Sequence, residues 1–288
     1  MYVIEILYLD LDQIYKSGQV FRWIKLNDGK YIVINKDKTV KVEQKKTRFM
    51  FDCSEEDFYN IWWKYFDLQT DYSISNYAIS SIGKEEKIAA TRGKGIHILN
   101  QDLFEIIISC SLETSTSVQR VSQMVNGIAK KCGIKHKNAM REAGQVIWYE
   151  FPTVDQIIEK QDSLTTQEIG YKHDIIIGLC EAIRDGWLDL DVLKTLDYYT
   201  AKSYLTDFNG IGPKVADSIC LYGLHHMESF TVDTHLMKIF KNMDLDFEDY
   251  YSWFIEDNET VRKNAGLLRQ YLWYNEVNPP RRIGDAKN

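Results

Sequence analysis

One lysine and one aspartate, nineteen residues apart, are the side chains of this chain whose setting most suggests catalysis. Lys214 follows a short glycine-containing turn, and Asp233 lies in the run Val232-Asp233-Thr234-His235. A lysine amine attacks an electrophilic carbon only when it is deprotonated, so its pKa must fall from about 10.4 through desolvation or a nearby cation. A neighbouring carboxylate would stabilise the positive charge that develops. An ordinary ion pair between the two is the alternative.

The turn before Lys214 predicts a short helix, a tight bend and a second helix. Gly210 and Gly212 allow positive φ and leave backbone N–H groups uncovered, and Pro213 suits the first turn of a helix. Exposed N–H groups at a helix N-terminus attract an anion such as phosphate. The turn is not a Walker A loop, because no Ser or Thr follows the lysine, and it lacks the third glycine of a dinucleotide fingerprint. A purely structural helix–turn–helix is the alternative.

Composition places the 288-residue chain among ordinary globular proteins, with 44% hydrophobic and 27% charged residues. No apolar run reaches the ~18 residues of a membrane span, and the N-terminus lacks a basic start and a cleavage site. We therefore expect a cytoplasmic protein without membrane contact, and a monomer. The five cysteines are widely spaced, which favours buried thiols over a zinc or iron–sulfur site held by side chains.

Charge is unevenly distributed along the chain. The net charge of −7 argues against a general nucleic-acid binder when taken alone. Residues 130–141 nevertheless hold five basic residues and no acid, whereas residues 244–259 hold acids and no base. An acidic protein can still carry a basic face that binds an anionic partner. Two solvated helix faces of opposite sign explain the pattern equally well.

Two sequence patterns divide the chain. Residues 1–60 predict an antiparallel sheet, since alternating segments such as 20–26 are followed by turn signals such as Asn27-Asp28-Gly29. From about residue 84 onward, apolar residues recur at helical spacing, as in 115–132. We therefore predict an α+β fold. A small N-terminal antiparallel β domain covers 1–95, an all-α body covers 96–288, and the glycine turn lies in a hairpin at about 201–223.

The segment Leu205–Asp217 together with Thr231-Val232-Asp233 resembles the helix-hairpin-helix motif and catalytic aspartate of base-excision DNA glycosylases. The cysteine cluster of the endonuclease III branch is missing. The chain most resembles the 8-oxoguanine DNA glycosylases, whose N-terminal domain has a TBP-like topology. Matching segments are spread along the chain, namely Ser17–Trp23, Leu99–Asp102, Ile169–Tyr171 and Ala265–Tyr274.

The resemblance implies a reaction on double-stranded DNA. A damaged base is flipped out of the duplex, Lys214 attacks the sugar C1′, the base leaves and a Schiff base remains. β-Elimination then nicks the strand, and Asp233 stabilises the charge on the sugar. No cofactor is implied, apart from a possible monovalent cation at the hairpin backbone. A glycosylase or abasic-site lyase of different base specificity is one alternative, and a non-catalytic DNA-binding module is another.

The resemblance also assigns a base pocket. Gly18 corresponds to a residue whose carbonyl accepts a hydrogen bond from N7–H, a proton that 8-oxoguanine has and guanine lacks. Trp273 corresponds to an aromatic residue that stacks on the flipped base. Arg269 stands where the family has a glutamine that reads the Watson–Crick edge, although an arginine only donates and guanine presents N1–H and N2–H₂ donors there. The adjacent Gln270 would restore the pattern if the alignment shifts by one residue.

The remaining correspondences concern DNA outside the pocket. An ordinary structural role is the alternative for each of them. The family carries an asparagine-rich turn before the arginine that reads the opposite cytosine. This chain has Glu113-Thr114-Ser115-Thr116-Ser117 there, with no asparagine. The predicted DNA contacts are the hairpin backbone at Gly210 and Gly212, His235 for a phosphate, Arg120 for the cytosine opposite the lesion, Tyr171 as the wedge in the duplex, and Lys172 beside that wedge.

Overall fold

The N-terminal part of the molecule is a five-stranded antiparallel sheet, as predicted. The computed structural model describes residues 1–113, 116–140, 144–164 and 169–280. The strands are β1 (Tyr2–Glu5), β2 (Ile24–Asn27), β3 (Lys30–Asn35), β4 (Lys38–Lys45) and β5 (Arg48–Phe51). Their order in the sheet is β1-β5-β4-β3-β2, and Val33 of β3 pairs with Val40 of β4.

Two helical segments cover one face of this sheet. The first, α1 (Leu11–Lys16), begins at Asp10, whose side chain accepts a hydrogen bond from the backbone N–H of Gln13. The second begins as α2 (Glu55–Asp57), continues through a π-helical turn and ends as α3 (Trp63–Tyr65). The strand predicted over 20–26 is shorter than expected, because its ladder begins only at Ile24. The core between sheet and helices includes Leu11, Ile14, Val33, Val40, Phe51, Phe58 and Trp62.

A helical body follows. Its helices are α4 (Tyr72–Ser80), α5 (Lys84–Gly93), α6 (Leu103–Glu113), α7 (Val118–Cys132), α8 (Val154–Glu159), α9 (His173–Arg184), α10 (Leu190–Leu193), α11 (Tyr198–Thr206), α12 (Pro213–Tyr222), α13 (Thr234–Asn242), α14 (Phe247–Tyr251), α15 (Glu259–Arg262) and α16 (Ala265–Val277). The main core is formed by α4–α6 and α9–α16, and α7 packs with α8 and α9 in a second cluster. Within the described ranges, none of these helices is long and apolar enough to cross a membrane.

The body is not all-α, contrary to the sequence prediction. Strands β6 (Lys135–Met140) and β7 (Gly144–Tyr149) form an antiparallel hairpin after α7. Trp148 is 3% exposed and packs against Ile32 and Ile34 of the N-terminal sheet. The hairpin therefore covers part of the second sheet face. The sequence analysis did not predict this hairpin, because its alternating pattern is short and lies between segments with helical periodicity.

Helices that precede residue 95 belong to the core of the body. Tyr72 and Ile79 of α4 and Ala89 of α5 lie in the same hydrophobic cluster as Leu268 and Leu272 of α16. Leu99, by contrast, packs in the core of the N-terminal sheet. The two hydrophobic cores therefore draw on residues from both sides of position 95.

The predicted hairpin is formed by α11, a glycine turn and α12. Leu205 and Ile211 are buried on its inner side, together with Ala216 and Ile219 of α12. Gly210 has φ +89°, and a Cβ at this position would lie 2.2 Å from the side chain of Ile175 in α9. Both the backbone conformation and the close approach of α9 therefore require glycine. This packing fixes where α12 begins, and so where Lys214 lies.

Candidate active site

Lys214 lies in the first turn of α12 and is exposed. Gly212 caps the helix, and Pro213 occupies its first position. The lysine borders two open clefts of about 530 and 510 Å³. Ser218 and Tyr222 follow it at i+4 and i+8, so all three share one helix face. Ser218 and Tyr222 line a small cavity in the body, and this face therefore leads from the amine to the cavity wall.

Asp233 is the N-cap residue of α13. Its Oδ1 accepts the backbone N–H groups of His235 and Leu236 at 2.9 and 3.0 Å. Its Oδ2 accepts from Nη2 of Arg269 at 2.8 Å, and the two side chains are only 8% and 6% exposed. The N–H groups of the helix N-terminus and the guanidinium occupy the two carboxylate oxygens. The structure thus holds the Asp233 side chain in a fixed orientation.

Arg269 pairs with Asp233 and offers no free donors to the cavity. The sequence analysis expected this residue to read the base, and the structure corrects that expectation. Besides Asp233, it donates to the backbone carbonyl of Thr231 at 3.3 Å and to the hydroxyl of Tyr222 at 3.1 Å. Burial alone would lower the pKa of Arg269, but the neighbouring Tyr222 and Asp233 raise it. The guanidinium is therefore a permanent cation with its donors already engaged.

Gln270 does not replace the missing base reader. Its side chain is fully buried, and its Oε1 accepts from the hydroxyl of Tyr222 at 2.5 Å. Its Nε2 donates to the backbone carbonyl of Ser17, which ties α16 to the N-terminal domain. Both ends of the amide are thus occupied. The one-residue shift that would have made Gln270 the base reader is not supported by this placement.

Gly18 and Trp273 meet at the mouth of the small cavity. Gly18 has φ +80°, and a Cβ there would lie 2.9 Å from Cη2 of the Trp273 ring. With the ring in this position, the cavity has only about 10 Å³ of free volume. Trp273 also stands edge-on to the ring of His235, with 6.0 Å between centroids. The structure thus brings together three predicted residues: Trp273 as the stacking aromatic, Gly18 as the source of an acceptor carbonyl, and His235 as the phosphate ligand.

Lys172 is buried, which the sequence did not indicate. Only 3% of the residue is exposed, and its Nζ donates to the backbone carbonyl of Ser111 at 2.9 Å. It lines the 510 Å³ cleft together with Lys214. Burial lowers the pKa of Lys172, and the charge of Lys214 lowers it further, whereas Glu113 opposes the shift. The side chain of Lys172 points into the body. In this conformation it does not reach a DNA phosphate at the surface, contrary to the predicted DNA contact.

The other predicted DNA contacts lie near the surface. Arg120 is half-buried in the first turn of α7, and its Nη1 approaches Oε1 of Gln123 at 3.4 Å. Gly170 has φ +65° and opens a short 3₁₀ turn that contains Tyr171. The side chain of Tyr171, and residues 114 and 115 before α7, lie outside what the structure describes.

Cys110 and Glu113 are among the cavity residues that the sequence did not assign to a base pocket. Cys110 and Glu113 line the cavity with Gly18 and Trp273. They are one helical turn apart at the end of α6, so their shared face was the signal available. Burial, and to a lesser degree Glu113, raises the pKa of the Cys110 thiol well above its usual range. Burial also raises the pKa of Tyr222 to about 12. Both groups therefore stay neutral at physiological pH.

Side-chain metal ligands do not cluster in the described ranges, where no three His, Cys, Asp or Glu residues are suitably placed. The five cysteines are all free, and four of them are buried. Their thiols belong to the hydrophobic packing, as the sequence indicated.

Known proteins match both the N-terminal sheet and the helical body. The N-terminal domain family of 8-oxoguanine DNA glycosylase matches residues 1–107. A crystal structure of Clostridium acetobutylicum 8-oxoguanine glycosylase/lyase, in complex with double-stranded DNA containing cytosine opposite 8-oxoguanine, superimposes with a TM-score of 0.83 at 28% identity. The match covers 95% of this chain and 97% of that one. This chain is similar to the 8-oxoguanine DNA glycosylases in its N-terminal sequence and across nearly its whole fold.

Curated relatives extend the family assignment. The chain is 26% identical over 261 residues to a Saccharomyces cerevisiae protein named N-glycosylase/DNA lyase, covering 81% of this chain and 68% of the relative. It is 22% identical over 254 residues to an Arabidopsis thaliana N-glycosylase/DNA lyase, covering 81% and 66%. The resemblance inferred from the motifs is therefore confirmed, as is the arrangement of an N-terminal antiparallel sheet followed by a mainly helical body. At the position where the family resemblance expects a glutamine, this chain has Arg269, whose guanidinium pairs with Asp233.

Proposed function

We propose that this protein is a base-excision DNA glycosylase with β-lyase activity that removes 8-oxoguanine from double-stranded DNA. The observation that carries the proposal is the face of α12 that runs from Lys214 through Ser218 to Tyr222, from an exposed amine to the wall of the cavity at Gly18. A base inside that cavity would have its sugar near the amine. The family assignment supplies the substrate, and the relatives' names supply both activities.

The chemistry follows from the positions of the two charged groups. The Lys214 amine attacks C1′, the bond from C1′ to N9 breaks, and the base leaves with the bonding electrons. The Asp233 carboxylate, fixed by Arg269 and the N-terminus of α13, stabilises the positive charge on the sugar. Loss of the sugar-ring C–O bond then leaves a Schiff base, and β-elimination expels the 3′ phosphate. His235 and the hairpin backbone at Gly210 and Gly212 would bind phosphates flanking this sugar.

Borohydride trapping tests the proposal, because it reduces the Schiff base to a stable covalent adduct. Wild-type protein should be trapped on duplex DNA with 8-oxoguanine opposite cytosine. Lys214→Gln should abolish trapping and leave binding within about tenfold, ~1.4 kcal/mol. Lys202→Gln is the matched control, since Lys202 lines the same cleft and is paired with Asp217 at 2.9 Å. Trapping that survives in the Lys214 variant would assign the nucleophile elsewhere.

A second candidate is a lyase that acts on abasic sites alone. The specific observation in its favour is the 10 Å³ cavity, which has no room for a base while Trp273 rests on Gly18. Our proposal requires the Trp273 ring to move aside when the base enters. Adducts on an abasic duplex, with none on an 8-oxoguanine duplex under the same conditions, would favour the lyase.

Two further expectations remain proposals. A monovalent cation at the hairpin backbone rests on the family resemblance, and replacing potassium by lithium in the trapping assay would test it. Action on chromosomal DNA implies a cytoplasmic protein, associated with the nucleoid if the source is bacterial.

A further inference from the structure

The base cavity lacks the group that reads a guanine edge elsewhere in the family. Arg269 donates to Asp233, Thr231 and Tyr222, and both ends of the Gln270 amide are engaged. The Watson–Crick edge of guanine presents two adjacent donors, N1–H and N2–H₂, which need acceptors. A buried donor without a partner costs about 1–3 kcal/mol. If this cavity takes 8-oxoguanine, another side chain has to accept from that edge.

Glu113 is the carboxylate in the cavity wall. It is the last residue of α6, is half-buried, and lines the cavity together with Gly18, Tyr222 and Trp273. The buried cation Arg269 lines the same cavity, and Lys172 interacts electrostatically with Glu113. These two cations offset part of the cost of holding a carboxylate in a half-buried position.

We propose that Glu113 is a specificity-determining residue whose carboxylate accepts hydrogen bonds from N1–H and N2–H₂ of the flipped 8-oxoguanine. This inference rests on the proposed function, because it concerns what the same site binds. The two oxygens of an ionised carboxylate are acceptors only and can take two parallel N–H donors. A guanine-type edge matches this pattern, and the edges of adenine and cytosine do not, since each places a ring-nitrogen acceptor beside its amino group.

The cavity would then present an acceptor to every distinguishing donor of the lesion. The Gly18 carbonyl corresponds to the acceptor for N7–H, and the Glu113 carboxylate accepts the two protons of the opposite edge. Trp273 supplies the stacking face between them. Because a charged acceptor left unpaired in a buried site is costly, a base lacking the N2 amino group should be excised more slowly.

The test compares 8-oxoguanine with 8-oxohypoxanthine, which lacks only the N2 amino group, each opposite cytosine in the same duplex. Single-turnover excision by the wild-type protein should be about tenfold to hundredfold faster for 8-oxoguanine. Glu113→Ala should bring this ratio close to one. Glu113→Gln, which keeps the shape and one acceptor, should give an intermediate ratio. Glu181→Ala, at an exposed position of α9, should keep the wild-type ratio.

Trapping on an abasic duplex separates this inference from the proposed function, because an abasic site presents no edge to read. Wild type and Glu181→Ala should be trapped there equally, and both Glu113 variants should still form the adduct. No adduct with wild-type protein on either substrate would reject the proposed function. Normal abasic trapping together with a wild-type base ratio in Glu113→Ala would reject the role of Glu113 alone. If Glu113→Ala fails to fold, a wild-type ratio of the two excision rates in Glu113→Gln would reject the proposed role of Glu113.

Discussion

Arg269 and Asp233 form a buried ion pair, with Nη2 donating to Oδ2 at 2.8 Å and side chains 6% and 8% exposed. Arg269 stands where the family resemblance expects a base-reading glutamine, and here it fixes the orientation of the Asp233 carboxylate. Arg269 also lies over the Trp273 ring, with 5.9 Å between Cζ and the ring centroid. One side chain thus connects the proposed catalytic carboxylate to the proposed stacking aromatic.

Removing the guanidinium should therefore impair chemistry more than binding. Arg269→Gln leaves the Asp233 carboxylate buried and without its cation, a change that typically costs about 3–5 kcal/mol in stability. We expect the single-turnover excision rate to fall at least tenfold while affinity for abasic duplex changes little. Arg184→Gln is the control, because it removes an exposed pair with Asp185 that solvent screens and that should contribute little to stability. Unchanged excision in Arg269→Gln would show that Asp233 needs no such support.

Gly18→Ala should block the base pocket. The new Cβ would lie 2.9 Å from the Trp273 ring at a residue with φ +80°. Gly186→Ala is a matched control, since Gly186 has φ +79° and, among the described residues, no atom within 4 Å of its added Cβ. Both variants should lose about 1–2 kcal/mol from backbone strain. Only Gly18→Ala should lose excision of 8-oxoguanine while keeping lyase activity on abasic duplex, and equal excision by the two variants would contradict the pocket assignment.

The local settings of Lys214 and Asp233 could be predicted from sequence because their signals are local. The glycine turn, Pro213 and Lys214 lie within five consecutive residues, and Asp233 carries its own helix-capping context. Backbone rules therefore fix where the amine and the carboxylate stand. The five-stranded sheet was predictable for the same reason, since alternation and turn residues determine strand pairing over short distances.

The polar part of the cavity wall could not be predicted from local signals, because it is assembled from distant segments. Only helix packing brings Glu113 at the end of α6 and Arg269 in α16 to the cavity, and Lys172 before α9 to the neighbouring cleft. Their partners are equally remote, since Arg269 bonds a residue 36 positions away and Lys172 one 61 positions away. Neither propensity nor periodicity determines which of several polar residues turns inward. The β6–β7 hairpin was missed for a related reason, as Trp148 is buried by the N-terminal sheet rather than by its neighbours in sequence.

Arg120 and Lys172 should behave differently towards DNA. Arg120 lies near the surface of α7 at the position that resembles a reader of the opposite cytosine, and Lys172 is 3% exposed. Arg120→Gln should narrow the preference for cytosine over adenine opposite the lesion by about 1–3 kcal/mol. Lys172→Gln should leave both that preference and the salt dependence of affinity unchanged. A salt slope lowered by about 0.9 in Lys172→Gln would instead indicate a phosphate contact.

The last prediction concerns a buried pair between the N-terminal region and the segment after α12. Nε2 of His225 lies 3.4 Å from Oδ2 of Asp67, and Asp67 is fully buried. Burial opposes charging of His225, but the hydrogen bond and charge of Asp67 raise its pKa above the ordinary value. Burial would raise the pKa of Asp67, and His225 lowers it below the ordinary range.

The sign of the pH dependence follows from these two shifts. The contribution of His225 is full below about pH 6.5 and is lost as the pH rises through its raised folded pKa. The contribution of Asp67 is full above about pH 4 and is lost as the pH falls through its lowered folded pKa. The pair therefore stabilises the fold most between about pH 4 and 6.5. His97 nearby, whose pKa burial lowers to about 4, titrates in wild type and variant alike.

Chemical denaturation of His225→Gln and wild type across pH 5 to 9 tests the predicted pH dependence of the His225–Asp67 pair. The difference in free energy of unfolding should be on the order of 1–3 kcal/mol near pH 5 and should shrink as the pH rises above 7. His173→Gln is the control, because His173 pairs with the fully exposed Asp174 and should change stability by less than about 1 kcal/mol. A difference for His225→Gln that stays constant over this range would mean that the pKa of His225 does not change on folding. The histidine would then hold the two regions together only through its 3.0 Å hydrogen bond with the carbonyl of Ile98.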